Sequence, residues 1–376
     1  MPGKYIGSLT AMRGVAALWV MLFHIDVSLF YRDMGALIPR DATGILSKGY
    51  LWVDFFFILS GFIIAHVYAE GMTGPGRLSA IADYLWARVA RVYPLHLFCL
   101  GLVVLIALGY PLFLPDVKDG SWNTFMAWRA IPSNLLMTHA MNQHVYLSWD
   151  IVSWSIGAEW WTYVATLPLL LLWANMPRWG VAACVLLAGA GLAGLVAALP
   201  NKNLDITFNW GFFRCLFEFV VGLAVWKVWR AGGLTWAGLD GVVVLLLVAV
   251  ATAFHYKTFG PYGDLMAVPM FALLVIGVAH NRGLVEAVLN SPPLQYLGRI
   301  SYSLYLVHGV AFSAFWFLMP WAKAHIGVLS DIERWAYAGV FVLLVVTVSH
   351  LTYNLVERPA RLLLLGLRHE RPHGKL

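Results

Sequence analysis

The chain has 376 residues, of which 61% are hydrophobic and 12% charged, with a formal net charge of +6 at pH 7. Soluble domains run nearer half apolar and a quarter charged, so this composition excludes an ordinary soluble globular protein and predicts a polytopic membrane protein. Its basic residues are scattered over the connections and not gathered in one arm, which points to Lys and Arg beside anionic membrane lipid and argues against nucleic acid.

Hydropathy in a span-length window predicts an all-α polytopic integral membrane protein with about ten transmembrane helices. They fall near residues 9–31, 49–69, 80–110, 149–173, 179–199, 209–229, 236–255, 262–280, 294–319 and 335–357. The first span is followed by no small-residue cleavage site and is expected to stay. Residues 111–148, with Pro111, Pro115 and Pro132, read as an extracytoplasmic connection with an interfacial helix, and 358–376 as a cytoplasmic tail. Residues 1–376 are otherwise one transmembrane domain with no internal repeat. Lys and Arg are densest on the side that holds Lys4, Arg77, Arg88, Arg91, Arg178, Arg282 and the run to Arg371 and Lys375, and sparser around Lys48, Lys202 and Lys257. Both termini are therefore expected in the cytoplasm. Cys99, Cys184 and Cys215 sit in apolar runs with no metal-ligand spacing, so neither a metal nor a disulfide framework is expected.

The first span carries Arg13 and His24, eleven residues apart, about 16 Å of helical rise and close to a whole number of turns. Both point to one face at two depths. An ionisable group within the hydrocarbon marks a function by default, although a snorkelling arginine and a packing histidine account for the pair equally well. In the second span, GYLWVDFFFILSGF puts Asp54 at a depth similar to His24, where a carboxylate orienting an imidazole is a common way to build a general base. The third opens with WARVARVYPLH, which places Arg88 and Arg91 on one face as lipid-headgroup contacts or a polyphosphate cradle. The fourth, WDIVSWSIGAEWWTYV, buries Glu159 near mid-bilayer beside Ser155 and Tyr163. Arg214 and Glu218 of the sixth span have the spacing of a self-neutralising pair. LGRISYSLYLVHG brings Arg299, Tyr302 and His308 in the ninth, and Glu357, with an arginine as its default partner, lies beside Arg358 and Arg361 at the end of the last.

These residues divide into a cationic layer (Arg13, Arg88, Arg91, with Arg299, Arg358 and Arg361 as further candidates) and a deeper layer of His24, Asp54, Glu159 and His308. Such a division suits a polyanionic ligand entering from the cytosol and proton-transfer chemistry beyond it. Trp122, Trp128, Trp149, Trp154, Trp160 and Trp161 offer platforms for sugar rings, although an interfacial aromatic belt explains most of them as well.

Arg13-x10-His24, GYLWVDFFFILSGF, RVARVYP, WSIGAEWWTY, RCLFEFVVG, LGRISYSLYLVH and the terminal Y-x3-ERP, in this order, resemble the acyltransferase 3 family of membrane-bound acyltransferases over essentially the whole chain. The resemblance implies transfer of an acyl group, most often acetyl, from cytosolic acyl-CoA to a hydroxyl of an extracytoplasmic glycan or lipid-linked saccharide, with macrolide antibiotics as acceptors of some members. It implies the cytoplasmic (inner) membrane as location and acetyl-CoA as donor co-substrate. It implies His24 as the catalytic histidine with Arg13 as motif partner, Asp54 and Glu159 as intramembrane acids, and Arg88 and Arg91 as an arginine motif beside the donor. The position of Arg13, Arg299, Tyr302 and His308 in their spans makes them further candidates for binding the donor. One departure is visible: Ala87 precedes Arg88 where the family often has a doubled arginine. Many relatives carry a fused esterase-like domain that is not seen in this sequence, so direct transfer or a separate partner is expected. A transporter or flippase for a polyanionic substrate is the rival reading, but paired inverted repeats and matching broken helices are not found.

Overall fold

The computed structural model describes residues 5–73, 76–114, 118–232, 239–256, 260–280 and 283–369. Lys4, Pro115, Lys257, Arg282, Arg371, Lys375 and the first residues of the predicted seventh span, 236–238, lie outside the described residues. Among the described residues every regular element is helical. The chain runs through α1 (Gly7–Tyr31), α2 (Trp52–Tyr68) and α3 (Arg77–Phe113), then two short helices, α4 (Trp122–Phe125) and α5 (Ile131–Leu135). There follow α6 (Trp154–Ala165), α7 (Leu167–Trp173), α8 (Arg178–Ala198), α9 (Gly211–Ala231), α10 (Leu239–His255) and α11 (Ala267–His280). The last third holds α12 (Leu284–Leu289), α13 (Pro292–Arg299), α14 (Ser301–Ile326) and α15 (Asp331–Thr352), a π-helical turn at Tyr353–Glu357, and α16 (Arg358–His369).

Among the described residues, seven helical segments are long and apolar enough to cross a membrane: Gly7–Tyr31, Gly49–Tyr68, Arg77–Phe113, Arg178–Ala198, Gly263–His280, Ser301–Ile326 and Asp331–Arg368. The chain is a polytopic membrane protein. The other three predicted spans are helical too, yet each departs from an ideal span. The fourth is divided at Thr166, where Pro168 opens α7; α9 carries Arg214, Glu218, Lys227 and Arg230; and α10 has 17 residues. The predicted ninth span is also two helices. Pro292 and Pro293 start α13, since proline is favoured in a first helical turn, and the chain turns at Ile300 before α14 begins. Residues 118–150 form α4, α5 and short turns in place of one interfacial helix, and they bury Trp122 and Trp149 against α3 and α14.

Close backbone approach sets the packing, as expected where lipid gives helices no hydrophobic reason to associate. A Cβ on Gly61 of α2 would lie 2.1 Å from the carbonyl oxygen of Phe219, and one on Gly222 of α9 would lie 2.0 Å from that of Ile58. The same device seats α1 on α13, where a Cβ on Gly298 would meet the Thr10 carbonyl at 2.1 Å. Two seams, α2 with α9 and α1 with α13 and α14, thereby hold the elements that carry the ionisable residues.

Overpacking a filled seam costs about 1–3 kcal/mol or more. Gly222→Val is therefore expected to lower the thermal unfolding midpoint of the detergent-purified protein. Gly101→Ala on α3, where a Cβ would meet nothing within 4 Å, is expected to leave it unchanged.

Candidate functional site

Arg13 and His24 do share a face of α1, and both meet α14. Arg13 Nη2 donates to Ser301 Oγ at 3.0 Å. Two turns further along α14, His308 Nε2 lies 3.3 Å from His24 Nδ1, with the ring centroids 5.0 Å apart. Each imidazole also places Nδ1 on the carbonyl four residues earlier, His24 on Val20 at 2.9 Å and His308 on Leu304 at 3.2 Å. A carbonyl only accepts, so these contacts assign both rings as Nδ1–H tautomers. His308 Nε2 then shares the His24 Nδ1–H as acceptor. The remaining lone pair, on His24 Nε2, has no hydrogen-bond partner among the described residues. Phe23 and Phe312 meet the His24 ring edge-on at 4.9 and 5.7 Å.

Next to this pair lies a cavity of about 130 Å³ lined by Arg13, Arg88 and Arg91 together with Glu159, Tyr163 and Tyr302. Arg88 donates to the Tyr68 hydroxyl at 3.2 Å and stacks near Tyr68 and Tyr163, while its Nε is buried with no partner. Arg91 sits 4.8 Å over the Tyr302 ring and is ion-paired to Glu357, whose second oxygen accepts from Ser303 Oγ at 2.7 Å. Tyr302 in turn donates to the Val92 carbonyl at 2.7 Å. Glu159 Oε1 accepts from the hydroxyls of Ser60 and Tyr163. Three guanidinium groups thus face one space, with two carboxylates moderating their charge. That is a cradle for an anion such as a phosphate.

Several expectations are corrected. Asp54 does not orient His24: it is fully buried and both oxygens are taken by Arg214, from Nε at 2.9 Å and Nη2 at 2.7 Å. The expected Arg214–Glu218 pair is present, at 3.8 Å, with Asp54 across the α2–α9 seam as the closer partner of Arg214. Glu159 lies among the arginines and not beside His24. His308 does not line the arginine cavity; it backs His24 instead. Arg299 is exposed at the end of α13, 5.4 Å over Tyr296, because the turn at Ile300 separates it from α14. Arg358 and Arg361 are exposed on α16. Trp122, Trp149 and Trp154 are buried in the interior and present no platform. Tyr305, which touches both the cavity and His308, was not singled out as a site residue, although its place one turn before His308 on α14 was a signal.

Comparison with known proteins bears on this arrangement. The model of a family described as an acyltransferase domain matches residues 6–354. Acyltransferase MdmB of Streptomyces mycarofaciens is 26% identical over 392 residues, covering 96% of this chain and 92% of that protein. Exopolysaccharide production protein ExoZ of Rhizobium meliloti is 25% identical, covering 82% of this chain and 88% of that protein. Peptidoglycan O-acetyltransferase OatA of Listeria monocytogenes is 22% identical over 81% of this chain, which spans 49% of the length of that relative. No solved structure matches.

The Asp54–Arg214 pair predicts a structural phenotype. Removing one member of a buried, hydrogen-bonded ion pair costs about 3–5 kcal/mol, whereas replacing both by apolar groups is far milder. Asp54→Ala is expected to unfold at markedly lower temperature in detergent, and the triple variant Asp54→Ala, Arg214→Met and Glu218→Gln, which also neutralises the acid 3.8 Å from Arg214, to recover most of the loss.

Proposed function

Because the chain belongs to this acyltransferase family, we propose that it carries an acyl group from cytosolic acyl-CoA, in the simplest case acetyl-CoA, to a hydroxyl of an extracytoplasmic glycan. The observation that carries the reading is an imidazole with a free Nε2, braced by a second imidazole and set within two side chains of a cavity walled by three arginines. Relatives named for peptidoglycan O-acetylation and for exopolysaccharide production support a glycan acceptor. The chain would lie in the cytoplasmic (inner) membrane with both termini in the cytoplasm and the arginine end of the cavity towards the cytosol.

In this mechanism the phosphates of CoA bind at Arg88 and Arg91, and the thioester arm runs past Arg13 towards His24. Arg88, with a buried Nε unpartnered, gains the most from an incoming phosphate oxygen. His24 Nε2 takes the proton of the acceptor hydroxyl as the oxygen attacks the acyl carbonyl. The C–S bond breaks, and the thiolate leaves towards the arginines. The imidazolium formed on His24 keeps its Nδ1–H on the Val20 carbonyl and His308 Nε2, two acceptors already in place to stabilise the new charge.

His24→Ala is expected to lower transfer to a glycan acceptor by about 10²–10⁴-fold while acetyl-CoA binding persists, as read by retention of radiolabelled acetyl-CoA on the purified protein. Full activity in this variant would reject the base. Arg91→Ala is expected to raise the KM for acetyl-CoA by about tenfold with a smaller change in kcat, the pattern of an interaction made before and during reaction alike.

A further inference from the structure

The arginine cavity and the histidine pair are neighbours without being one space. Phe56 of α2 and Tyr305 of α14 line the cavity, but neither histidine does. The rings of Phe56 and Tyr305 meet edge-on at 5.7 Å, and those of Tyr305 and His308 meet edge-on at 5.4 Å. Tyr305 is pinned from a third helix. Ser155 of α6 donates its hydrogen to the Val152 carbonyl at 3.0 Å, so the Tyr305 hydroxyl donates to Ser155 Oγ at 2.8 Å. This Phe56–Tyr305 layer, drawn from α2 and α14 and tied to α6 through Ser155, therefore stands between the cavity, which is the site proposed for the thioester, and the His308 ring that backs the base.

We infer that the Phe56–Tyr305 layer determines whether the acyl group goes to an alcohol or to water. This rests on the donor and base assigned above. A base that activates a sugar hydroxyl activates water equally well. The wasteful reaction is simple to write: water oxygen adds to the thioester carbonyl, one of its protons goes to His24 Nε2, the C–S bond breaks, and the thiolate takes that proton back, giving free CoA thiol and acetic acid, which releases the second proton to solvent as acetate. Closing a site against water is the usual remedy. Here the closure is internal, a partition that holds the thioester on the arginine side until the acceptor is seated.

The test needs no acceptor. Thiol release from acetyl-CoA is followed with the purified full chain, and acetyl-CoA retention is measured in parallel. The wild type is expected to release thiol slowly. Phe56→Ala, which removes one ring from the layer, is expected to release it about tenfold faster, and adding His24→Ala to that variant is expected to abolish the gain. Tyr305→Phe, which keeps the ring and cuts only its tie to Ser155, is expected to show a smaller rise of about threefold. If Phe56→Ala binds acetyl-CoA like the wild type and releases no more thiol, the layer is not the barrier. If no variant and no wild-type protein retains acetyl-CoA, the donor assignment itself fails and the inference falls with it. If Phe56→Ala alone loses binding, Tyr305→Phe decides: a rise supports the barrier and an unchanged rate overturns it.

Discussion

A guanidinium and a carboxylate, both almost wholly buried, join α2 to α9 with two parallel hydrogen bonds. Much of the structure depends on that contact. Neither charge is tolerable alone in a medium of low dielectric, so the pair fixes the depth and rotation of one helix against the other. The glycine seam at Gly61 and Gly222 then lets the backbones touch. With α2 placed, Phe56 and Ser60 are placed as well, and through them one wall of the cavity and the hydroxyl donor to Glu159.

The arginine cavity follows the same logic with a different outcome. There the acids are arranged to leave cationic capacity in reserve. Glu159 is occupied by two hydroxyl donors, and Glu357 divides its oxygens between Arg91 and Ser303. Three arginines meet two acids, one of them already engaged by neutral partners. A site neutralised exactly would give an anion little reason to enter. One with surplus guanidinium and a buried, unpartnered Nε on Arg88 gives it a strong one.

Much of this was legible in the amino-acid order. Apolar length gave the helices, and the cost of charge in hydrocarbon singled out Arg13, His24, Asp54, Arg88, Arg91 and Glu159. The common face of Arg13 and His24 followed from helical periodicity alone. Partners across helices were harder to read. Spacing along one helix paired Arg214 with Glu218, because a sequence displays i, i+4 neighbours and hides the residue on the next helix. Arg299 was misplaced for a related reason. Hydropathy averages over a window, and the break at Ile300 turns the backbone within one residue. In the sequence Tyr305 reads only as lining the turn between Arg299 and His308, because an aromatic residue in a membrane helix looks like packing until the cavity on one side of it and the imidazole on the other are seen together.

The helix that ends the bundle carries one further consequence. Glu357 closes a π-helical turn, Tyr353–Glu357, between α15 and α16. Such a turn arises when a helix accommodates one residue more than its regular winding allows. The carboxylate reaches Arg91 because of how many residues precede it, as much as because it is a glutamate. Loss of a single residue from this turn would swing the acid about 100° round the axis and leave every side chain chemically intact. The charge state of the cavity is thus written partly in chain length, a quantity that residue-by-residue substitution leaves untouched.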